Sequence, residues 1–329
     1  MDKIKIGQIG IGHNHGRMKM AAVRKMPDLF EVIGYSEEDP RWLEKRGSLA
    51  EYDGLRRMSE EELLEQCEAV LVECDVWNLT ATAQRCIDAG KHIHLDKPAS
   101  GTLEQYKCLL DSAQTRGLAV QLGYMYRYNP AIRRCLAAAK NGELGEIYSI
   151  NAEMSTYHKP EYRRWLQNFP GGILYILGSH LVDLIVYLMG EPERITTFLK
   201  HTQMDGIDVP DNNLAVLEYG PALARIFVSS VEVNGWGRRQ FVVAGSKGTM
   251  HIEPIENEIK MTYSDLDIAT KAHEDHHIEL PYEDVPKENR YDDMMKDFYD
   301  IVRGRKENPF TYEHEYTVQK VLYEMIGGM

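Results

Sequence analysis

Along the first third of the chain, short apolar runs alternate with stretches whose apolar residues recur every three or four positions. The runs IKIGQIGIG (4–12), FEVIGYS (30–36), AVLVECD (69–75), HIHLDKP (92–98) and LAVQLGY (118–124) predict strands. MKMAAVRKM (18–26), EEELLEQC (60–67), the stretch through ATAQRCIDAG to Gly90, and LEQYKCLLDSAQTRG (103–117) predict helices. Strands separated by helices of this length build βαβ units, so residues 1–123 are expected to form a doubly wound α/β domain, a parallel sheet with helices on both faces.

Near residue 124 the texture changes. NPAIRRCLAAAKNGELG (129–145) reads as a helix with Pro130 in its first turn and glycine at its end. Strands then dominate: IYSINAEMST (147–156), ERITTFLKH (193–201), NLAVLEYG (213–220), ARIFVSSVEV (224–233), RRQFVVAGS (238–246) and TMHIEP (249–254), with GSKGT as a hairpin turn between the last two. Residues 124–329 are therefore expected to form an α+β domain on a mostly antiparallel sheet. The apolar stretch GGILYILGSHLVDLIVYLMG (171–190) predicts a helix packed on that sheet, and it carries His180 and Asp183. The polar segment 255–290 is expected to be irregular, and YDDMMKDFYDIVRG (291–304) helical.

Composition narrows the class. A chain of 329 residues suits two domains, and 43% hydrophobic with 27% charged residues is the make-up of a globular protein in water. The net charge of −13 speaks against nucleic acid and anionic membrane surfaces as partners, since both need basic patches. Apolar runs fall short of the ~18 residues of a membrane helix, and the N-terminus enters its first strand without the apolar core of a signal peptide. Cys67, Cys74, Cys86, Cys108 and Cys135 are odd in number and lack a CxxC, as expected of reduced thiols in a cytoplasm.

Candidate chemistry starts at Gly10 and Gly12, a GxG between the first strand and first helix. There the first glycine permits a tight turn and the second lets backbone approach a pyrophosphate at the helix N-terminus. Where GxGxxG has its third glycine this chain has His15, so the turn is modified and His13, Asn14 and His15 become candidate cofactor contacts. His13-x-His15 lacks further ligands in the sequence, and no metal is expected. After the second strand, Ser36 holds the place of the ribose-binding acid, followed by Glu37, Glu38 and Asp39. Three carboxylates repel a 2′-phosphate, which favours NAD; Arg41 and Arg46 nearby leave NADP open. The fourth strand ends in Asp96-Lys97-Pro98. Ligands of such sheets sit beyond the carboxyl ends of strands, which puts Lys97 at the ligand edge, its conformation restricted by Pro98.

Together these pieces resemble the Gfo/Idh/MocA family, the glucose–fructose oxidoreductases, inositol dehydrogenases and their relatives. The resemblance is carried by GIGHNHG, AGKHIHLDKPAS (89–100), LGYMYRYNPAIRR (122–134), GELGEIYSI (142–150), GGILYILGSHLVDLIVYLMGEP (171–192) and the series from DNNLAVLEYG to GSKGT (211–249), in order along nearly the whole chain. It implies a Rossmann domain, a second domain whose open sheet makes a homodimer or homotetramer contact, and a nicotinamide between them. It also implies hydride transfer between NAD(P) and a sugar or polyol carbon, with Lys97 at the reacting hydroxyl, His180 as the proton acceptor or donor, and Asp96, Lys97 and Arg127 among the cofactor contacts. The chemistry agrees: an imidazole titrates near neutrality, and an ammonium favours developing alkoxide charge.

Two positions depart from the family. Its polyol and sugar dehydrogenases usually carry an aspartate four residues before the histidine, where this chain has Ile176. Asp183, which matches a second family position, is then the candidate to orient His180. Where the family often has Thr-Pro-Asn after the third strand and a histidine several residues on, this chain has Cys74, Asp75 and Val76, with Leu79 at the histidine. Trp77 is a candidate to pack near the nicotinamide, or an ordinary helix-capping aromatic. His158, Arg163, Arg164 and Trp165 face either substrate or solvent, and HEDHH (273–277) reads as a solvated acidic loop. Two functions from different classes follow. One is an NAD(P)-dependent oxidoreductase of sugars or polyols, favoured by Lys97 and His180; the other is a non-catalytic dinucleotide sensor, favoured by the missing carboxylate.

Overall fold

A computed structural model describes residues 2–266, 280–281 and 290–328. The chain forms two compact units, Met1–Met125 with Asn289–Tyr316, and Tyr126–Glu288 with Thr317–Met329.

In the first unit, β1 (Ile4–Ile9), β2 (Phe30–Ser36), β3 (Ala69–Val72), β4 (His92–Leu95) and β5 (Val120–Leu122) make an all-parallel sheet in the order β2-β1-β3-β4-β5. Between them run α1 (Gly16–Arg24), α2 (Pro40–Arg46), α3 (Glu60–Gln66), α4 (Leu79–Asp88) and α5 (Leu103–Thr115). Every residue of β3 is buried, the pattern of a strand covered on both sides. Strand order reverses between β1 and β3, and that crevice is where doubly wound sheets take ligands. The sequence reading missed α2. Its start signal is Asp39, whose side chain accepts the Arg41 N–H, followed by Pro40 in the first turn.

The second unit holds α6 (Pro130–Lys140), β6 (Ile147–Glu153), α7 (Pro160–Leu166), α8 (Ser179–Met189), β7 (Arg194–Lys200), β8 (Asn212–Tyr219), β9 (Ala222–Ser229), β10 (Gln240–Gly245), β11 (Gly248–Ile252), β12 (Met261–Asp265) and β13 (Leu280–Pro281). Its sheet runs β13-β12-β11-β10-β6-β9-β8-β7, antiparallel at each pairing except the parallel β6–β9. GSKGT closes the expected hairpin, with Ala244 opposite Thr249. Ala224, Ile226 and Val228 of β9 point inward and are buried, and α8 packs on β6 and β9, while Leu223 is exposed on the other face. The expected irregular segment 255–290 contains β12 and β13. Met261 is buried and pairs with Ile252, so a polar stretch became a strand by joining the edge of β11. The tract 273–277 lies outside the described residues.

After the second unit the chain returns to the first. Helix α9 (Arg290–Val302) buries Met294, Met295, Phe298 and Tyr299 and packs on α1. The Tyr299 hydroxyl donates to the Asp2 carbonyl (3.1 Å), and Arg303 donates to the Asp2 and Lys3 carbonyls and to Glu68. A single division after residue 123 thus describes the first crossing but not this return, which the apolar stripe of α9 drives. Then α10 (Tyr312–Met325), also unforeseen, leads back into the second unit.

Candidate active site

The glycine turn after β1 is built as a dinucleotide fingerprint requires. Gly10 has φ +82°, and a Cβ on it would lie 2.4 Å from the Cys74 Cα, so only glycine fits. Its N–H donates to the Ser36 carbonyl (2.8 Å), and the His13 N–H donates to the Glu73 carbonyl (2.8 Å), tying the turn to the ends of β2 and β3. His15 caps α1 without a side-chain hydrogen bond, and the N–H groups of Gly16, Met18 and Lys19 donate to the His13 and His15 carbonyls.

Glu37, expected among the cofactor contacts next to Ser36, holds this turn. Its carboxylate accepts the N–H groups of Ile11 and Asp39, both at 2.9 Å. Beside it opens a cavity of about 320 Å³, lined by Ser36, Glu37, Glu38, Cys74, Asn78, Thr82, Glu60 and Arg85 among others. The last four of these were not foreseen. Arg85 is held by Glu60 (2.5 and 2.8 Å) and Arg41 by Asp39 (3.0 Å), which leaves the cavity acidic. Cys74 donates to the Thr82 hydroxyl (3.5 Å), and burial pushes its thiol up to about 12. Asp75 accepts the Trp42 indole N–H (3.0 Å), and Trp77 is 44% exposed.

Around Asp96 lies a cluster that the sequence showed only in part. The Lys19 ammonium, fully buried on α1, sits 2.6 Å from Asp96 Oδ2 and 2.7 Å from Glu73 Oε1. His13 Nδ1 lies 2.7 Å from Asp96 Oδ2, and His15 Nδ1 3.4 Å from Oδ1. The Lys97 N–H donates to Asp96 Oδ1 (2.7 Å), and a cis peptide joins Lys97 to Pro98. One carboxylate therefore fixes the main chain of Lys97 at the ligand end of β4. The sequence offered no third donor beside His13-x-His15; the fold brings Asp96 there, and Lys19 supplies the positive charge facing it. Burial alone would raise Asp96, but His13, Lys19 and His15 outweigh it and hold the carboxyl well below its usual range. Burial raises Glu73 well above its usual range despite Lys19, with Asp96 adding to the rise. Burial also lowers both histidines against the pull of Asp96, His15 to about 4.

In the second unit, His180 is 3% exposed and lies edge-on to the Tyr126 ring, centroids 4.8 Å apart. Asp183, expected to orient it, is forked by Arg127 through three hydrogen bonds of 2.5 to 3.1 Å, both side chains 1% exposed. Arg127 was expected at the cofactor, and its guanidinium forks Asp183. The segment Leu174–Gly178 is a π-helical turn. The spacing from Ile176 to His180 therefore lacks the α-helical geometry the sequence reading assumed, and such turns are frequent at functional sites.

Three residues near Tyr126 gave no local signal. Its hydroxyl donates to Glu256, and Arg239 donates to Glu256 (3.1 Å) and to the Tyr126 oxygen (3.1 Å) while stacking on Trp236. His158 stacks on Tyr162 (4.1 Å), and burial with Arg239 and Arg163 lowers it to about 4. Arg163 is fully buried and braces a loop through the His158 and Met204 carbonyls and Asp205. Trp165 packs on Phe169.

Comparison with known proteins adds a family. Residues 4–124 match a profile described as an oxidoreductase family with an NAD-binding Rossmann fold, and residues 132–251 one described as a GFO/IDH/MocA C-terminal domain. An uncharacterised oxidoreductase of Schizosaccharomyces pombe is 24% identical over 289 residues, 84% of this chain and 78% of that protein. The Bacillus subtilis scyllo-inositol 2-dehydrogenase (NADP+) is 26% identical over 148 residues, 44% of this chain and 41% of its own. Among solved structures, a UDP-N-acetylglucosamine 3-dehydrogenase from Acidithiobacillus ferrooxidans superposes with TM-score 0.82 at 19% identity, covering 100% of this chain and 98% of that one. A 3-ketoreductase from Actinomadura kijaniata in complex with NADP and TDP-benzene gives 0.80 at 19%, covering 99% and 98%. At those identities the structures share a fold.

Proposed function

This chain belongs to the GFO/IDH/MocA oxidoreductase family, and we propose that within it the protein is an NAD-preferring dehydrogenase or ketoreductase of a sugar or cyclic polyol. The observation that carries the reading is the fixing of Lys97. Asp96 holds its main chain, and Asp96 is itself held by Lys19, His13 and His15. A lysine set rigidly at the carboxyl end of a central strand suits an ammonium that must meet a developing alkoxide. When bound, a nicotinamide accepts or donates the hydride. The glycine turn and the cavity by Ser36 suit its pyrophosphate and adenosine, and Lys97 steadies charge on the substrate oxygen. His180 is assigned the hydroxyl proton; its edge-on packing against Tyr126 fixes the imidazole plane. The acidic cavity, with Arg85 and Arg41 already paired, supports NAD over NADP.

The relatives' named activities, on inositol and on nucleotide-linked sugars, support the substrate class. Phe198 and Leu223, exposed on the outer face of the second unit's sheet, support self-association through that face. No described helix is long and apolar enough to cross a membrane, and five free cysteines support a reducing, cytoplasmic setting. The test is an absorbance screen of NAD and NADP against sugars and cyclic polyols, run in both directions with keto sugars. Turnover with NAD on at least one is expected. Failure of the whole panel despite cofactor binding sinks the enzyme reading and leaves the sensor.

A further inference from the structure

Helix α2 stands in the place where a dinucleotide would be expected to lie. In a GxG turn the second glycine leaves room for pyrophosphate. Here a Cβ on Gly12 would meet the Trp42 indole, 2.8 Å from Nε1 and 3.0 Å from Cε2. The same Nε1–H donates to Asp75 beyond β3 (3.0 Å), so the indole spans the crevice between the ends of β1 and β3. One turn on, the Arg46 guanidinium stacks on the Trp42 ring (4.8 Å) and donates to the carbonyls of Ile11 (3.0 Å) and His13 and to Asn14 Oδ1 (2.6 Å).

The charges around Arg46 are telling. Arg41 and Arg85 each face a carboxylate, whereas the three acceptors of Arg46 are two carbonyls and an amide oxygen. A half-buried guanidinium on neutral acceptors at a phosphate-binding turn suits an anion, because hydrogen bonds to a charged acceptor are about twice as strong. The helix that carries it is also weakly anchored: none of its seven residues is buried, so moving it exposes little apolar surface.

We propose that Arg46 is a pyrophosphate-binding residue and Trp42 the latch it moves with: an entering dinucleotide displaces the indole from Gly12 and Asp75, and Arg46 transfers from the turn's carbonyls to the phosphates. The inference rests on the dinucleotide reading of the turn. It predicts binding in two steps, with an observed association rate that levels off as ligand rises because the movement of α2 then limits it.

ADP-ribose is the probe, since it carries the pyrophosphate without the nicotinamide and needs no turnover. Binding is measured by calorimetry and by stopped-flow tryptophan emission; Trp42→Phe identifies the share of the signal due to Trp42 among the four tryptophans. Arg46→Ala should bind about 10- to 100-fold more weakly, with Arg46→Lys recovering part of the loss. Trp42→Ala should bind more tightly and lose the plateau in rate; Trp42→Phe, which keeps the ring but not the Asp75 bond, should fall between. Thermal unfolding of each variant shows that it is folded. Unchanged affinity in Arg46→Ala, or weaker binding in Trp42→Ala and Trp42→Phe alike, overturns the latch while leaving the dinucleotide reading intact. If folded wild-type protein binds neither ADP-ribose nor NAD, that reading fails first.

Discussion

The two units each bury a carboxylate among cations and histidines, and they resolve the competition differently. In the first, Asp96 is shared by Lys19, His13, His15 and the Lys97 main chain. In the second, Asp183 receives both arms of Arg127, while His180 packs against an aromatic ring. The difference lies in the shape of the cation. An ammonium is a point donor, and Lys19 divides itself between Asp96 and Glu73, leaving lone pairs for imidazoles. A guanidinium fork covers both oxygens of one carboxylate.

Breaking the lysine-centred cluster should have the largest effect. Lys19→Met leaves Asp96 buried without its cation, and a loss of about 3–5 kcal/mol is expected in urea unfolding. A loss under 1 kcal/mol would mean the histidines suffice to hold the charge. Next, Lys97→Ala should lower turnover by about 10²–10³-fold, roughly 3–4 kcal/mol of barrier, with NAD affinity nearly unchanged. Near-wild-type rates would show that fixing Lys97 serves the fold alone. Asp183→Asn should cost less, about 2–3 kcal/mol of stability, because the amide oxygen still accepts from Arg127. A pH–rate profile of this variant that moves as well would mark Asp183 as a positioning partner of His180.

Near neutrality the gentlest effect is that of pH. The folded-state pKa values of His13 and His15 lie below the ordinary 6.5 because burial disfavours the charged ring, His15 at about 4. The unfolded chain therefore takes up protons first. Stability should be full above pH 6.5 and fall as pH drops toward 4, by up to about 1.4 kcal/mol per pH unit for each histidine. His15→Asn should flatten the curve. An unchanged slope would place the titration elsewhere.

The βαβ order, the hairpin, the glycine turn and the Asp96-Lys97-Pro98 strand end were legible because each is a local pattern. What escaped was non-local or misassigned. Lys19 sits in MKMAAVRKM, where a polar residue is read as outward; its two carboxylates come from strand ends 54 and 77 residues away. Arg127 and Asp183 are 56 residues apart, and no periodicity links them. The start of α2 was visible in Asp39-Pro40, but the acidic run was read for its charge rather than as a helix cap. The π turn before His180 has no composition of its own, since Leu, Tyr and Ile serve α and π turns alike.

The clamp of α9 on the first unit has a consequence for synthesis. On the ribosome, β5 emerges long before Arg290, and at about 5–20 residues per second the interval is roughly ten to thirty seconds. During that time the surface of the first unit that Met294, Met295, Phe298 and Tyr299 will cover, His94 and Phe30 included, stays bare, and the amino-terminal carbonyls that Arg303 and Tyr299 bind lack those donors. A nascent chain of this design must wait, half-sealed, until Arg290–Val302 emerges. Its vulnerability to aggregation and its need for chaperones should therefore peak in mid-translation and end when α9 docks.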